Sequence, residues 1–154
     1  AEINRQYFLL VRLIRSTIMD ARLANIFNLE NIDILDYRIA ANTLEIAGDT
    51  VVELSQSLIK SNLSKVELKK LHDFAKDMEE IQIKSIDSFI SNNRTLAIDA
   101  ISLQRNNATK ISKIRSSLES KKQISLAFFD LIYMFEKVLQ SWSDIADLVK
   151  PSYK

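Results

Sequence analysis

One glycine and one proline stand in a chain of 154 residues. Tight hairpin turns and bulges draw on glycine for positive φ and on proline for a fixed φ. A chain with Gly48 and Pro151 alone cannot furnish the turns of a sheet protein. The sequence therefore predicts an all-α fold with few, short connections. Hydrophobic residues at 47% and charged residues at 27% are globular proportions, and the length suits one compact domain with a real core. No linker or low-complexity stretch suggests a second domain.

Apolar spacing predicts five helices. The first runs over about 3–25, with Ile3, Tyr7, Leu10, Ile14, Ile18 and Leu23 on one side. A loop at NLENID precedes a second helix over about 33–61, with Asp33 as its cap. Its stripe is Ile34, Tyr37, Ala41, Leu44, Gly48, Val51, Leu54 and Leu58. Ser64 and Glu67 have capping-box spacing and open a third helix over about 64–91. Its core face is Val66, Leu71, Phe74, Met78, Ile81 and Phe89. SNNR at 91–94 is a hinge into a fourth helix, about 94–119. The fifth, about 122–150, is the most apolar, with Leu126, Phe129, Ile132, Phe135, Leu139, Trp142, Ile145 and Leu148. Pro151 ends it. Long helices with short loops pack as an antiparallel bundle.

Charge and composition exclude several function classes. Lys and Arg number 21 against 20 for Asp and Glu, so no global basic field points to nucleic acid. Cysteine is absent, which removes disulfides, thiolate metal sites and a Cys nucleophile, and fits a cytoplasmic setting. No apolar run reaches the roughly 18 residues of a membrane span. The opening AEINRQYFLL lacks the order of a signal peptide and starts inside an amphipathic pattern, as a piece cut from a longer protein does. No Gly-rich phosphate loop or nucleophile elbow occurs. His72 has no Glu three residues before it, so the Glu-x-x-His pair of di-iron bundles is missing, and an ordinary part-exposed histidine is expected. The basic run Lys110, Lys113, Arg115, Lys121, Lys122 is expected to be a solvated face.

The segment NTLEIAGDTVVELS at 42–55 sets that lone glycine mid-helix among Glu45, Asp49 and Glu53. Residues four apart share a helix face, so the three carboxylates form a ladder. Solvated, such neighbours repel by a few tenths of a kcal/mol per pair. Clustered oxygens are also what hard cations bind. A solvated acidic face and a cation site both fit the spacing. Gly48 costs about 1 kcal/mol relative to alanine inside a helix, and the expected reason for keeping it is close helix packing rather than a ligand. A faint repeat sets Asn42–Asp49 against Gln140–Asp147, QSWSDIAD, late in the fifth helix.

These residues resemble the signature of the PhoU family, cytoplasmic regulators of phosphate uptake built from two three-helix units. Leu44, Glu45, Gly48 and Asp49 match its Leu-Glu-Arg-Ile-Gly/Ala-Asp pattern in the first repeat, and Ile145, Ala146 and Asp147 in the second. NRQYFLLVRLIR at 4–15 and LDYRIAANTLE at 35–45 are similar to archaeal PhoU-like domains, which often follow an AbrB-type DNA-binding segment. The chain departs from the pattern at Ile46, Ser143 and Asp144.

The resemblance implies one domain over 1–154. Residues 1–61 would be the remainder of a first unit lacking its first helix, and 62–154 the second unit. It implies regulation by protein–protein contact with a partner of phosphate signalling or transport, and DNA reached only through a segment outside this chain. It also implies a divalent or iron-type metal ion at Glu45, Asp49 and Asp147, with Glu53 and Glu136 as further acidic positions. The under-covered first unit predicts a homodimer or helix swap. A metal-binding bundle and a generic helical interaction module are the alternatives.

Overall fold

The computed structural model describes residues 2–119 and 125–149. Among them the chain is helix throughout, apart from caps and short turns. The elements are α1 (Glu2–Met19), α2 (Ala21–Ile26), α3 (Asn31–Lys60), α4 (Lys65–Ser91), α5 (Arg94–Glu119) and α6 (Leu126–Asp147). The all-α bundle is as the sequence predicts, with one more helix because the expected 3–25 segment is broken. Asp20 adopts an extended conformation, and its Oδ1 accepts the Arg22 N–H at 3.0 Å. That side-chain cap starts a new helix where the apolar spacing alone would continue the old one.

The other ends follow the same local chemistry. In the expected capping box, the Ser64 N–H donates to Glu67 Oε2 at 2.8 Å, and the Glu67 N–H donates back to Ser64 Oγ at 3.3 Å. Asp33 is not the cap of α3. Glu30 holds that position, and Asp33, one turn in, accepts the Glu30 N–H at 2.8 Å. Asn92 closes α4 at φ 49°, a left-handed conformation that asparagine tolerates. Asn93 Oδ1 then accepts the N–H groups of Thr95 and Leu96 at the start of α5. Ser125 caps α6. The expected start near 122, Lys121, Lys122 and Pro151 lie outside the described residues.

Packing centres on α6. It touches α3, α4 and α5, while α4 and α5 also touch each other. Eleven side chains of α6 are buried, including Phe128, Ile132, Phe135, Val138, Leu139 and Trp142, and they do not fall on one stripe. A helix apolar on most sides belongs inside a bundle. Ile81 and Phe74 of α4, Ile111 of α5 and Ala47 and Leu54 of α3 complete the core. Phe74 and Phe135 meet at 6.2 Å between ring centroids. α5 and α6 also meet through small side chains, Ala97 and Ala100 against Ala146. The expected core aromatics Phe135 and Trp142 are buried. Val66, Leu126 and Ile18, expected to face inward, are exposed. Val66 and Leu126 sit in the first turns of α4 and α6, and Ile18 lies on α1, which packs on α3 with only α2 at its end.

Two measurements check this core. Ile132→Ala is expected to cost about 2–5 kcal/mol in urea denaturation, whereas Ile59→Ser, at an exposed site on α3, is expected to stay within about 0.5 kcal/mol. The hydrogen bonds from the Ser64 hydroxyl and backbone, with a further one from the Ser125 hydroxyl, hold the Glu67 carboxyl below its ordinary pKa. A depressed carboxyl pKa stabilises the fold above the unfolded value and loses that contribution as acid protonates the folded group. Glu67→Gln is therefore expected to lower stability at pH 7 and to flatten its decline between about pH 5 and 3.

Candidate functional site

Apolar exposure is unevenly distributed. Of the twenty-three large hydrophobic residues exposed among the described residues, sixteen lie in residues 2–60. The cause is topological: among the described residues α1 touches only α3 and, at its end, α2, and α3 gives one face to α6 and another to α1. Exposed apolar side chains gathered on one part of a fold make that part the candidate for contact with a partner.

α1 runs antiparallel to α3. Ile3 packs at Gly48, and the Tyr7 hydroxyl donates to Asn42 Oδ1 at 3.4 Å. Arg38 Cζ lies 5.3 Å from the centre of the Tyr7 ring, a cation–π contact. A Cβ placed on Gly48 would stand 2.7 Å from Ile3 Cδ1. The glycine thus makes room for a neighbouring helix, as expected of it. The neighbour it admits is the tip of a side chain rather than another backbone.

A groove of about 570 Å³ opens beside this contact, between α1, α3, α4 and α6. Ile3, Tyr7, Leu10, Val51, Met78 and Trp142 give it an apolar lining, and Glu2 and Glu45 stand at it as charges. The Trp142 indole N–H is buried with no hydrogen-bond partner. Apolar walls with few polar groups suit a partner helix or a greasy side chain better than a polar metabolite.

The carboxylates named by the sequence are not brought together. Glu45 is half-buried at the groove, while Asp49 and Glu53 are exposed on α3. α3 and α6 pack directly and antiparallel: Glu53 and Lys60 lie beside Asp130 and Lys137, while Asp36 and Tyr37 lie beside Leu148 and Val149. Asp147, exposed at the end of α6, therefore stands by the opposite half of α3 from Asp49. Glu136 is engaged by the Arg115 guanidinium, three turns from Asp147. Gln140 accepts from Gln104 Nε2 at 3.2 Å and donates to Asp144 Oδ1 at 2.7 Å, so it is committed as well. Among the described residues no group of three or more His, Cys, Asp or Glu side chains could hold a metal ion.

The remaining candidates are surface features. His72 is exposed. Lys110 pairs with Asp77 at 2.7 Å, so within the basic run both Lys110 and Arg115 are tied to acids on neighbouring helices. The buried polar side chains described are Thr17, Thr50, Ser85, Ser88, Gln104, Asn107, Ser141 and Ser143, none of them titratable. The under-covered apolar face expected of residues 1–61 is there, and what the sequence reading did not name is the side chains that carry it, among them Phe8, Ile39 and Ile46. Their signal was available, because α1 and α3 each carry apolar residues on more of their circumference than one packed stripe requires.

No protein-family model, curated protein or solved structure matches the chain. The resemblance to the PhoU family rests on the motif at 44–49, its counterpart at 145–147 and the helix order.

Gly48→Ala follows from the contact described. Alanine recovers about 1 kcal/mol of helix propensity, and Ile3, half-exposed, yields by turning its terminal methyl. A net gain of roughly 0.5–1 kcal/mol in urea denaturation is expected. A loss would mean that Ile3 is held in place.

Proposed function

We propose that this chain is a PhoU-like regulator of phosphate homeostasis that acts by binding proteins rather than by catalysis. It works in the cytoplasm as a homodimer, engages a protein of phosphate transport or signalling, and controls a DNA-binding segment carried by a longer chain or by a partner. The observation that carries this reading is the concentration of exposed apolar side chains on α1–α3, next to the acid-bearing motif at 44–49. The motif names the regulatory class by resemblance, and the apolar face names the mode of action.

No described helix is long and apolar enough to cross a membrane.

A deletion strain tests the proposal. Wild-type cells are expected to lower phosphate uptake after a shift from scarce to abundant phosphate, and cells lacking the gene are expected to keep uptake high. Leu44→Asp, in the groove, is expected to reproduce part of that defect while the purified variant keeps its helical circular dichroism. Uptake that responds identically with and without the gene would overturn the regulatory reading.

A further inference from the structure

We infer that α1 and α2 form a strap that opens as one unit about Leu29 while α3–α6 stay folded, and that the opening uncovers the side of α3 at Ala41, Leu44, Gly48 and Val51. The opening rests on packing alone. Where the regulatory reading holds, it gates access to the motif at 44–49.

The strap is held from one side. Among the described residues α1 packs on α3 and α2, and α2 packs on α1. Of the eighteen residues of α1 only Ile14 and Thr17 are buried, and α2 buries none. The apolar cluster around α6 draws on α3, α4, α5 and α6 from Ala47 onward, and no residue of α1 or α2 belongs to it. Removing the strap therefore leaves that cluster whole. Apolar burial is the main force holding a helix in a fold, so an element that contributes little of it opens far more often than the whole protein unfolds.

Polar ties across the seam are few and weak. The Tyr7 hydroxyl reaches Asn42 Oδ1 at 3.4 Å, beyond the roughly 2.8 Å usual for such a bond. Arg38 adds its cation–π contact with the Tyr7 ring. The ion pairs of Arg5 with Glu2 and of Arg22 with Asp20 lie within the strap. Ile14 of α1 and Ile34 of α3, both buried, line one groove and make the main apolar closure.

The turn between α2 and α3 is built as a hinge. The Asn28 N–H donates to the Asn25 carbonyl at 3.1 Å and the Leu29 N–H to the Ala24 carbonyl at 2.9 Å, both on the strap side. The Glu30 N–H donates to Asp33 Oδ2 at 2.8 Å and the Ile34 N–H to the Glu30 carbonyl at 3.2 Å, both on the α3 side. Rotation at Leu29 breaks none of the four. One or two loop residues that absorb a backbone change between two closed caps are what a hinge requires.

Ala41 marks what the strap covers. It is 4% exposed yet lies outside the cluster around α6, and it lines the groove with Tyr7 and Leu10 of α1. Leu44, Gly48 and Val51 line the same groove. Lifting α1 leaves this side of α3 open to solvent beside Glu45.

Hydrogen exchange read by mass spectrometry on the purified chain at pH 7 tests the strap. Amides from about 5 to 26 are expected to exchange as one block, at least about a hundredfold faster than those of α4 and α6. Ile14→Ala is expected to speed that block by roughly tenfold or more and to leave α4 and α6 unchanged. The chain has no cysteine, so Ile3→Cys with Gly48→Cys sets a single pair across the seam. Its oxidised form is expected to slow the block by roughly tenfold or more against the reduced form of the same molecule. If the pair does not oxidise, the Ile14→Ala comparison decides alone. Ala41→Cys is expected to react with a thiol reagent at a rate that Ile14→Ala raises by the same factor as the exchange. Exchange of the block at the rate of α4 and α6 would overturn the strap. Rates graded inward from Glu2, with α2 protected, would mean fraying from the end and would overturn the hinge. A thiol at position 41 that ignores Ile14→Ala would overturn the uncovering. The uptake experiment reads the regulatory proposal independently of these results.

Discussion

The burial of α6 on three sides is the constraint from which the rest of the arrangement follows. Its twenty-two residues carry Phe128, Leu131, Ile132, Phe135, Val138, Leu139, Trp142 and Ile145, so no single partner helix can cover it. α4 and α5 close two sides as an antiparallel pair, and α3 closes the third. Leu, Ile, Val and Phe side chains are worth about 1.5–3 kcal/mol each when fully buried, so this one helix commits the chain to a bundle before any cap or ion pair is considered. Once α3 is spent on α6 along one face, it has only its remaining circumference to offer α1. The exposed apolar face is thus the consequence of an asymmetric core, rich around α6 and thin around α1.

Helix type and most boundaries were readable because they are written in local chemistry. The Ser64 and Glu67 box, the Asn92–Asn93 hinge and the near absence of glycine and proline each act within a few residues. The break at Asp20 is also local, but it hides inside an apolar rhythm that runs through it, and a short polar side chain in mid-pattern reads equally as a surface position. Glu30 was missed for the same kind of reason: glutamate is an uncommon cap, and Asp33 is a common one. The inward face of α6 was visible since nearly all its faces are inward. The outward side of α3 was less so: Tyr37 and Leu44, placed on the packed stripe by spacing, are exposed once the partner helices are counted. Tertiary context, not propensity, decides such positions.

The carboxylates show how far spacing alone carries. Four-residue intervals do place Glu45, Asp49 and Glu53 on neighbouring turns, yet Glu45 is half-buried at the groove while Asp49 and Glu53 are exposed, and among the described residues no set of three or more such ligands forms around them. Hard cations are held by several oxygens at once. A ladder along one helix offers negative charge to whatever lies across from it.

The relation between α3 and α6 ties the motif to the packing. The two helices bear the paired segments 42–49 and 140–147, and they lie antiparallel in direct contact. Leu44 and Trp142, which correspond in that pairing, line the same groove. Because the two helices run antiparallel, residues level with one another meet there, while positions further along diverge to opposite ends, as Asp49 and Asp147 do. The small residues follow the same logic. Gly48 and Ala146 are equivalent, and each sits where a neighbour comes close: Ile3 of α1 at Gly48, and Ala97 and Ala100 of α5 beside Ala146. The α5 contact is buried. The α1 contact stays half open, because among the described residues α1 touches only α3 and α2. The packing is thus sealed around α6 and open around α1, which is why the exposed apolar side chains gather on α1–α3.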